Sequence, residues 1–216
     1  MNTLKILFVV VLVQTTALFA QFVPVTSGIR VTTETVDKGK VVKSEKKEGV
    51  FLRTSDGSTL THFTRVNGVE EPGIGELLDN RNLASYQLFY QAHKAVESNM
   101  KMPEPVRPDM WSATPLQSLG ERRVGGVDCT IIPLSMKLQD KPEQRIGQMC
   151  VSPQYGLILG QETAQTDQNG SIVRSVMEMY DVKLNASPDP NLFELRRNFT
   201  VFKAEHPNRV PNRPEQ

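Results

Sequence analysis

The sequence predicts a mainly β protein, built as a single antiparallel curved sheet or half-barrel domain with few helices. Two observations support this fold class. Short runs rich in β-branched residues recur along the 216-residue chain, and turn sequences that contain Gly separate many of them. Gly supplies the positive φ that tight hairpins require. Only 6% of the residues are aromatic, so we expect a core made largely of Val, Leu, Ile and Met.

Three pairs of runs predict β-hairpins in chain order. The pairs are 29–36 with 40–45, 50–54 with 59–66, and 157–163 with 172–184, and their turns contain Gly39, Gly57 and Gly170. A fourth pair, 127–132 with 146–151, flanks a polar loop that contains Asp140 and Pro142. These alternations of strand and turn indicate antiparallel neighbours throughout.

The segment from Leu83 to Val96 fits two structures. As a helix, it places Leu83, Tyr86, Tyr90 and His93 on one face at spacings of three and four residues. As a strand, it alternates through residues 84, 86, 88 and 90 and follows a short run at 76–78. Periodicity leaves both alternatives open.

Residues 1–20 have the order of a secretory signal peptide. Lys5 precedes an apolar run from Ile6 to Val13, and small residues follow, with cleavage expected between Ala17 and Ala20. The apolar run is too short to span a bilayer, which needs about 20 residues. We therefore expect an exported protein, periplasmic or extracellular, that touches a membrane only peripherally.

The remaining chain is predicted to form one β-rich domain over residues 21–204. Four Pro residues within 101–117 indicate an extended connection inside this domain, and residues 205–216 are predicted to be a disordered tail. Lys5 is the one charged residue of the signal peptide, so the mature chain carries 24 basic and 24 acidic side chains. This balance gives no general attraction to nucleic acid, which we exclude as a partner.

The two cysteines predict one structural disulfide. Cys129 and Cys150 lie in the two runs of the fourth hairpin, where they are expected to face each other across the ladder. An oxidising compartment preserves such a bond, which would contribute about 3 kcal/mol. A redox-active pair or a metal site is the alternative, but neither the Cys-x-x-Cys spacing nor further Cys and His ligands accompany these residues.

A methionine pattern suggests a soft metal. Met100 and Met102 have the Met-x-Met spacing that offers two thioethers to Cu(I), with Met110 as a further ligand and His93 nearby. The alternative is that these residues, like Met177 and Met179, fill gaps in a core.

The sequence lacks the short motifs of common catalytic and nucleotide-binding sites. The chain has no Gly-x-Ser-x-Gly turn, no His-Glu-x-x-His and no nucleotide-binding loop, so no cofactor is predicted. An enzyme would need a cleft that brings Glu70 or Glu71 close to His62 or His93. The non-catalytic alternative for Glu70 and Glu71 is a solvated acidic loop.

Three motifs resemble those of a group of uncharacterised exported bacterial proteins. They are LGERRVGGVDC (119–129), MCVSPQYGLIL (149–159) and SPDPNLFEL (187–195), the last containing a terminal P-D-P-x-L-F. The resemblance implies an exported β-rich protein and a strand at residues 84–90, and it supplies no catalytic residues. In the last motif, Pro and Asp189 favour a tight turn that directs Leu192 and Phe193 onto the core.

A more distant resemblance, in strand order and compartment, is to the half-open β-barrels of periplasmic lipoprotein carriers. It implies a curved sheet that wraps an apolar ligand. Together these observations predict an exported, non-catalytic binding protein of the cell envelope that carries an apolar small molecule or lipid. The alternative is a periplasmic copper-binding protein that uses Met100, Met102 and Met110.

Overall fold

A computed structural model describes residues 22–71, 73–98, 117–136 and 144–203. The expected signal peptide, residues 101–116 of the Pro-rich connection, the expected tail and the methionines Met100, Met102 and Met110 lie outside the described residues. The predictions that fall on them stay predictions. No helix in the described part of the chain is long and apolar enough to cross a membrane.

One large, open, curved sheet contains all thirteen strands of the described residues, as the sequence predicts. The strands are β1 (Val25–Asp37), β2 (Lys40–Arg53), β3 (Thr59–Val66), β4 (Val69–Glu70), β5 (Ile74–Asp79), β6 (Ala84–Phe89), β7 (Lys94–Glu97), β8 (Gly120–Val124), β9 (Val127–Met136), β10 (Gln144–Ser152), β11 (Leu157–Thr166), β12 (Ile172–Leu184) and β13 (Thr200–Lys203). A 3-10 helix (Pro190–Phe193) and a short helix α1 (Leu195–Asn198) precede β13.

The strand order explains why the two halves of the chain form one sheet. It is β13-β7-β6-β5-β3-β2-β1-β12-β11-β10-β9-β8, with β4 paired to β3 outside this path. Strand β1 therefore lies between β2 and β12, which is close to the end of the described chain. It joins an N-terminal series of hairpins to a C-terminal series. All pairs are antiparallel except β13 with β7, which are parallel.

The segment from Leu83 to Val96 forms two strands, β6 and β7, so the helical alternative is wrong. Leu83 and His93 have φ values of 51° and 48°, in the left-handed region that a right-handed helix excludes. They lie in the turns that flank β6, and the β6 backbone is paired with β5 and β7. The strand at residues 84–90 that the motif resemblance implies is confirmed over Ala84–Phe89.

The pairing register places a leucine cluster on one face of the sheet. Leu52 lies opposite Leu60, Leu60 lies opposite Leu77, and Leu88 lies opposite Ala95. Each of these five side chains is at most 9% exposed, and together they form one of the two core clusters. We call this surface the leucine face.

The second core cluster surrounds the disulfide. Cys129 and Cys150 are bonded, with 5.5 Å between their Cα atoms, and pack with buried residues that include Leu159 and Met179. The predicted disulfide and the core position of Met179 are confirmed. The expected direct opposition of the cysteines is wrong, because Cys150 lies opposite Ile131. A bulge between residues 145 and 147 moves β10 by one residue relative to β9 and accounts for part of this offset.

A buried arginine links three distant parts of the chain. Arg53 is 3% exposed, and its guanidinium donates to the carbonyl oxygens of Val23 (3.0 Å), Gly156 (2.7 Å) and Tyr155 (2.7 Å). Its carbon Cζ lies 5.7 Å from the centre of the Phe22 ring. Burial lowers the pKa of Arg53 to about 10. The positive charge is therefore held by carbonyl dipoles and an aromatic face.

The turn between β2 and β3 is organised by Asp56. Its carboxylate accepts hydrogen bonds from the Thr54 hydroxyl and the Ser58 backbone N–H (3.0 Å) and pairs with Arg81. Partial burial works to raise the pKa of Asp56, but these three donors outweigh it and hold the pKa at about 2. The carboxylate thus stabilises the folded turn only in its ionised form.

Candidate functional site

The segment from Ser187 to Phe199 covers the leucine face, and we call it the cover segment. Its local sequence determines its shape. Asp189 precedes the 3-10 helix and accepts hydrogen bonds from the backbone N–H (2.9 Å) and side-chain amide (2.8 Å) of Asn191. Pro190 has the fixed φ that suits the first helical position. The turn predicted from the SPDPNLF motif is therefore present.

Side chains of three residues join the cover segment to the leucine face. Phe193, Leu195 and Phe199 pack against the cluster of Leu52, Leu60, Leu77, Leu88 and Ala95. Leu192 was expected on the core as well, but it is 48% exposed. Successive residues of a 3-10 helix are about 120° apart, so Leu192 and Phe193 do not share a direction.

The hydrogen bonds of the cover segment stay within it, as far as the described residues show. The side chains of Arg197 and Asn198 both donate to Asn191, and backbone bonds join residues 189 to 192 and 191 to 194. The first hydrogen bond to the sheet follows the segment, from the backbone N–H of Thr200 to the carbonyl oxygen of His93 (2.8 Å). The segment is thus a self-contained unit held on the sheet by apolar contacts.

An aromatic stack lies at one end of this contact. The His62 and Tyr90 rings are nearly parallel with centroids 3.7 Å apart, and Phe199 meets Tyr90 edge-on at 5.2 Å. Gly75, directly opposite His62 on β5, makes room for Tyr90, since a Cβ there would lie 2.9 Å from a carbon of the Tyr90 ring. Burial raises the pKa of Tyr90 to about 12, so its hydroxyl stays protonated.

His62 carries a buried polar atom without a partner. Its Nε2 is shielded from solvent and has no hydrogen bond among the described residues. Burial lowers the pKa of His62, which keeps the imidazole neutral at neutral pH. A neutral imidazole nitrogen either donates or accepts one hydrogen bond, so this atom is equipped to bind a polar group.

A polar groove adjoins the stack on the same face. Val50 lies directly opposite His62 and lines a groove of about 580 Å³. The other lining residues are Glu48, Gly49, Thr64, Arg65, Glu70, Glu71 and Tyr180. The Tyr180 ring lies over Gly28, where an added Cβ would approach a ring carbon to 2.2 Å.

Ion pairs occupy much of this groove. Glu48 pairs with Arg30 (3.0 Å) and Lys46 (2.9 Å), and Arg65 pairs with Glu70 (2.9 Å). The hydrogen bonds from Lys46 and Arg30 lower the pKa of Glu48, so it stays ionised at neutral pH. An apolar molecule in the groove would remove these charges from water at a net cost, so the groove does not suit one.

The candidate residues from the sequence are only partly brought together. Glu70 and Glu71 line the groove, whereas His62 does not line it and His93 lies in the exposed turn between β6 and β7. The described residues contain no group of three His, Cys, Asp or Glu side chains arranged to hold a metal. The copper alternative, based on methionines outside the described residues, gains no support.

The sequence patterns missed Tyr90, Leu195 and Phe199 as functional residues. Tyr90 carried a signal, since it fell on the expected strand face, but its partner Phe199 lies 109 residues further along the chain. No short-range pattern reports such a contact.

Comparison with known proteins finds likeness only among solved structures. No family model matches the sequence, and no curated protein matches it. PNGF-II is 13% identical with a TM-score of 0.41, covering 82% of this chain and 32% of that one. The chain thus spans about a third of the length of PNGF-II.

Two similar structures are named for the group that the sequence distantly resembles. A LolA superfamily protein from Nitrosomonas europaea is 12% identical with a TM-score of 0.35, covering 78% of this chain and 89% of that one. A domain from Vibrio parahaemolyticus, named for outer membrane lipoprotein sorting, is 8% identical with a TM-score of 0.35, covering 81% and 90%. All three TM-scores lie below 0.5.

Proposed function

We propose that this protein is an exported, non-catalytic binding protein of the bacterial cell envelope that carries an apolar small molecule or lipid on the leucine face. One observation carries the proposal. The cover segment rests on the leucine face through Phe193, Leu195 and Phe199, while its hydrogen bonds remain inside the segment among the described residues. It is therefore a cover that lifts without loss of hydrogen bonds to the sheet.

The energetics allow a ligand to replace the cover segment on the leucine face. Fully burying a Leu or Phe side chain contributes about 1.5–3 kcal/mol, so lifting the segment alone is unfavourable. An apolar chain that takes its place on the leucine face restores a comparable apolar contact. The parallel pairing of β13 with β7 keeps the segment attached while it moves. The ligand site is thus under the cover segment and not in the polar groove.

Export is supported by two independent features. The disulfide between Cys129 and Cys150 persists in an oxidising compartment, and residues 1–20 have the order of a signal peptide. The periplasm or the extracellular space satisfies both. The proposal needs no cofactor and no nucleic acid, and a lipid ligand implies at most peripheral contact with a membrane.

Native mass spectrometry of the protein purified from an exporting host tests the proposal. We expect the oxidised mass with a lipid-sized adduct. After the adduct is removed, the fluorescent probe N-phenyl-1-naphthylamine should bind to the apolar site. A bare protein that also fails to bind the probe would refute the proposal, and a copper-sized adduct alone would refute it in favour of the methionine site.

Two variants of the 3-10 helix locate the site. Phe193→Ala removes an apolar contact between the cover and the leucine face, so the probe should bind several times faster. Leu192→Ala is the matched control, because Leu192 is next in sequence, of similar size and 48% exposed. Equal rates for both variants would place the probe elsewhere than under the cover segment.

A further inference from the structure

The leucine face ends at a polar atom that lacks a partner, and this bears on the chemistry of the ligand. Resting on the proposed function, we propose that the carried molecule is an amphiphile with an uncharged, hydroxyl-bearing head group that hydrogen-bonds to Nε2 of His62. Its apolar chain lies on the leucine face. The proposal thus names the ligand class and a binding residue.

The first argument concerns hydrogen bonding. Nε2 of His62 is buried and has no hydrogen-bond partner among the described residues. The great majority of buried polar atoms in proteins are paired, and an unpaired one is costly. A head group that hydrogen-bonds to this nitrogen would remove that cost. A ligand with such a head group should therefore bind more tightly than a ligand that lacks it.

The second argument concerns position. His62 lies two residues after Leu60 on β3, so both side chains belong to the same face, and Val50, which lies opposite His62, lines the polar groove. The imidazole therefore stands where the apolar surface meets the polar one. A molecule with its chain on Leu60 and Leu88 would place its polar end at this boundary.

The third argument concerns charge. The imidazole stacks on the Tyr90 ring, beside which an ion is poorly solvated. Burial keeps His62 neutral and Tyr90 protonated, so neither supplies a countercharge to a carboxylate or phosphate head at neutral pH. A hydroxyl suits this environment, because it donates or accepts one hydrogen bond and carries no charge.

The test compares two small apolar molecules that differ in hydrogen-bonding ability. 1-Decanol and 1-chlorodecane are titrated against the bound naphthylamine probe, with wild type, His62→Phe and His93→Asn. Phe retains the stack on Tyr90 and removes the nitrogen. We expect His62→Phe to lower the affinity for 1-decanol about fivefold to tenfold and to leave that for 1-chlorodecane unchanged. His93→Asn, in an exposed turn, should behave as wild type.

The outcomes separate this inference from the proposed function. If wild type binds neither the probe nor either compound, the proposed function itself fails, and if it binds the probe alone, the inference about the ligand class is overturned. If wild type binds both and His62→Phe weakens both equally or neither, the apolar carrier stands and the role of His62 is overturned. Should His62→Phe fail to fold, the ¹⁵N shift of Nε2 in wild type decides. It should move when 1-decanol is added and stay when 1-chlorodecane is added, and an unmoved signal with bound 1-decanol would overturn the inference.

Discussion

Opening the Cys129–Cys150 disulfide should destabilise the protein by an amount that follows from its place in the chain. The bond spans 21 residues. The chain-entropy relation for a loop of that length corresponds to about 3.3 kcal/mol at 25 °C. At about 2–4 °C per kcal/mol for a domain of this size, the melting temperature should fall by about 7–13 °C on reduction.

Urea unfolding of oxidised and reduced protein measures this effect. The reduced protein keeps both sulfur atoms in the core cluster, so the difference between the two forms isolates the cross-link. The Cys129→Ala/Cys150→Ala variant should lose more, because both side chains are at most 5% exposed and their packing is lost as well. Identical free energies of unfolding for the oxidised and reduced forms would show that the bond does not constrain the unfolded chain and would refute this reasoning.

Three further predictions concern the fold around the proposed site. Leu88→Ala should lower the free energy of unfolding by about 2–5 kcal/mol, since Leu88 is 1% exposed, whereas Leu83→Ala, at a 71% exposed position, should have little effect by urea titration. The pKa of Asp56 is about 2 when folded and 3.8 when unfolded, so its contribution of about 2 kcal/mol is complete above about pH 5 and is lost as the pH falls through 4 toward 2. Asp56→Asn should flatten this part of the stability profile, and an unchanged profile would contradict the ionised role. Gly28→Ala should cost about 1–3 kcal/mol by collision with Tyr180, and a second substitution, Tyr180→Ala, should recover part of this loss if the ring is the cause.

The sequence predicts the fold class well because strand and turn signals are local. Gly39 and Gly57 have the positive φ values that their turns require, and the hairpins around them form where expected. The choice between helix and strand at Leu83–Val96 depended on pairing with β5 and β7, which lies beyond any local pattern. The cysteine pairing was predictable from composition and compartment, whereas its two-residue offset depended partly on a bulge.

The candidate site was predicted less completely, since its parts come together only in three dimensions. His62 and Tyr90 are 28 positions apart in the chain, and Phe199 is far from both. The sequence predicts strands that contain Leu52 and Leu60 and a core rich in aliphatic residues, but it does not identify the leucine face. The division of the apolar residues into a sheet surface and a removable cover could not be predicted, because residues on both sides of such a contact have the same hydrophobic pattern.

The buried Arg53 couples the folding of the N-terminal strands to that of the C-terminal strands. Two of its three carbonyl partners lie 102 and 103 residues further along the chain, beside the turn between β10 and β11. Until these carbonyl groups dock, burial of the Arg53 guanidinium would leave it without two of its three acceptors, so it keeps its water while they are absent. A nascent chain would therefore keep this end of the sheet open until the turn between β10 and β11 is available.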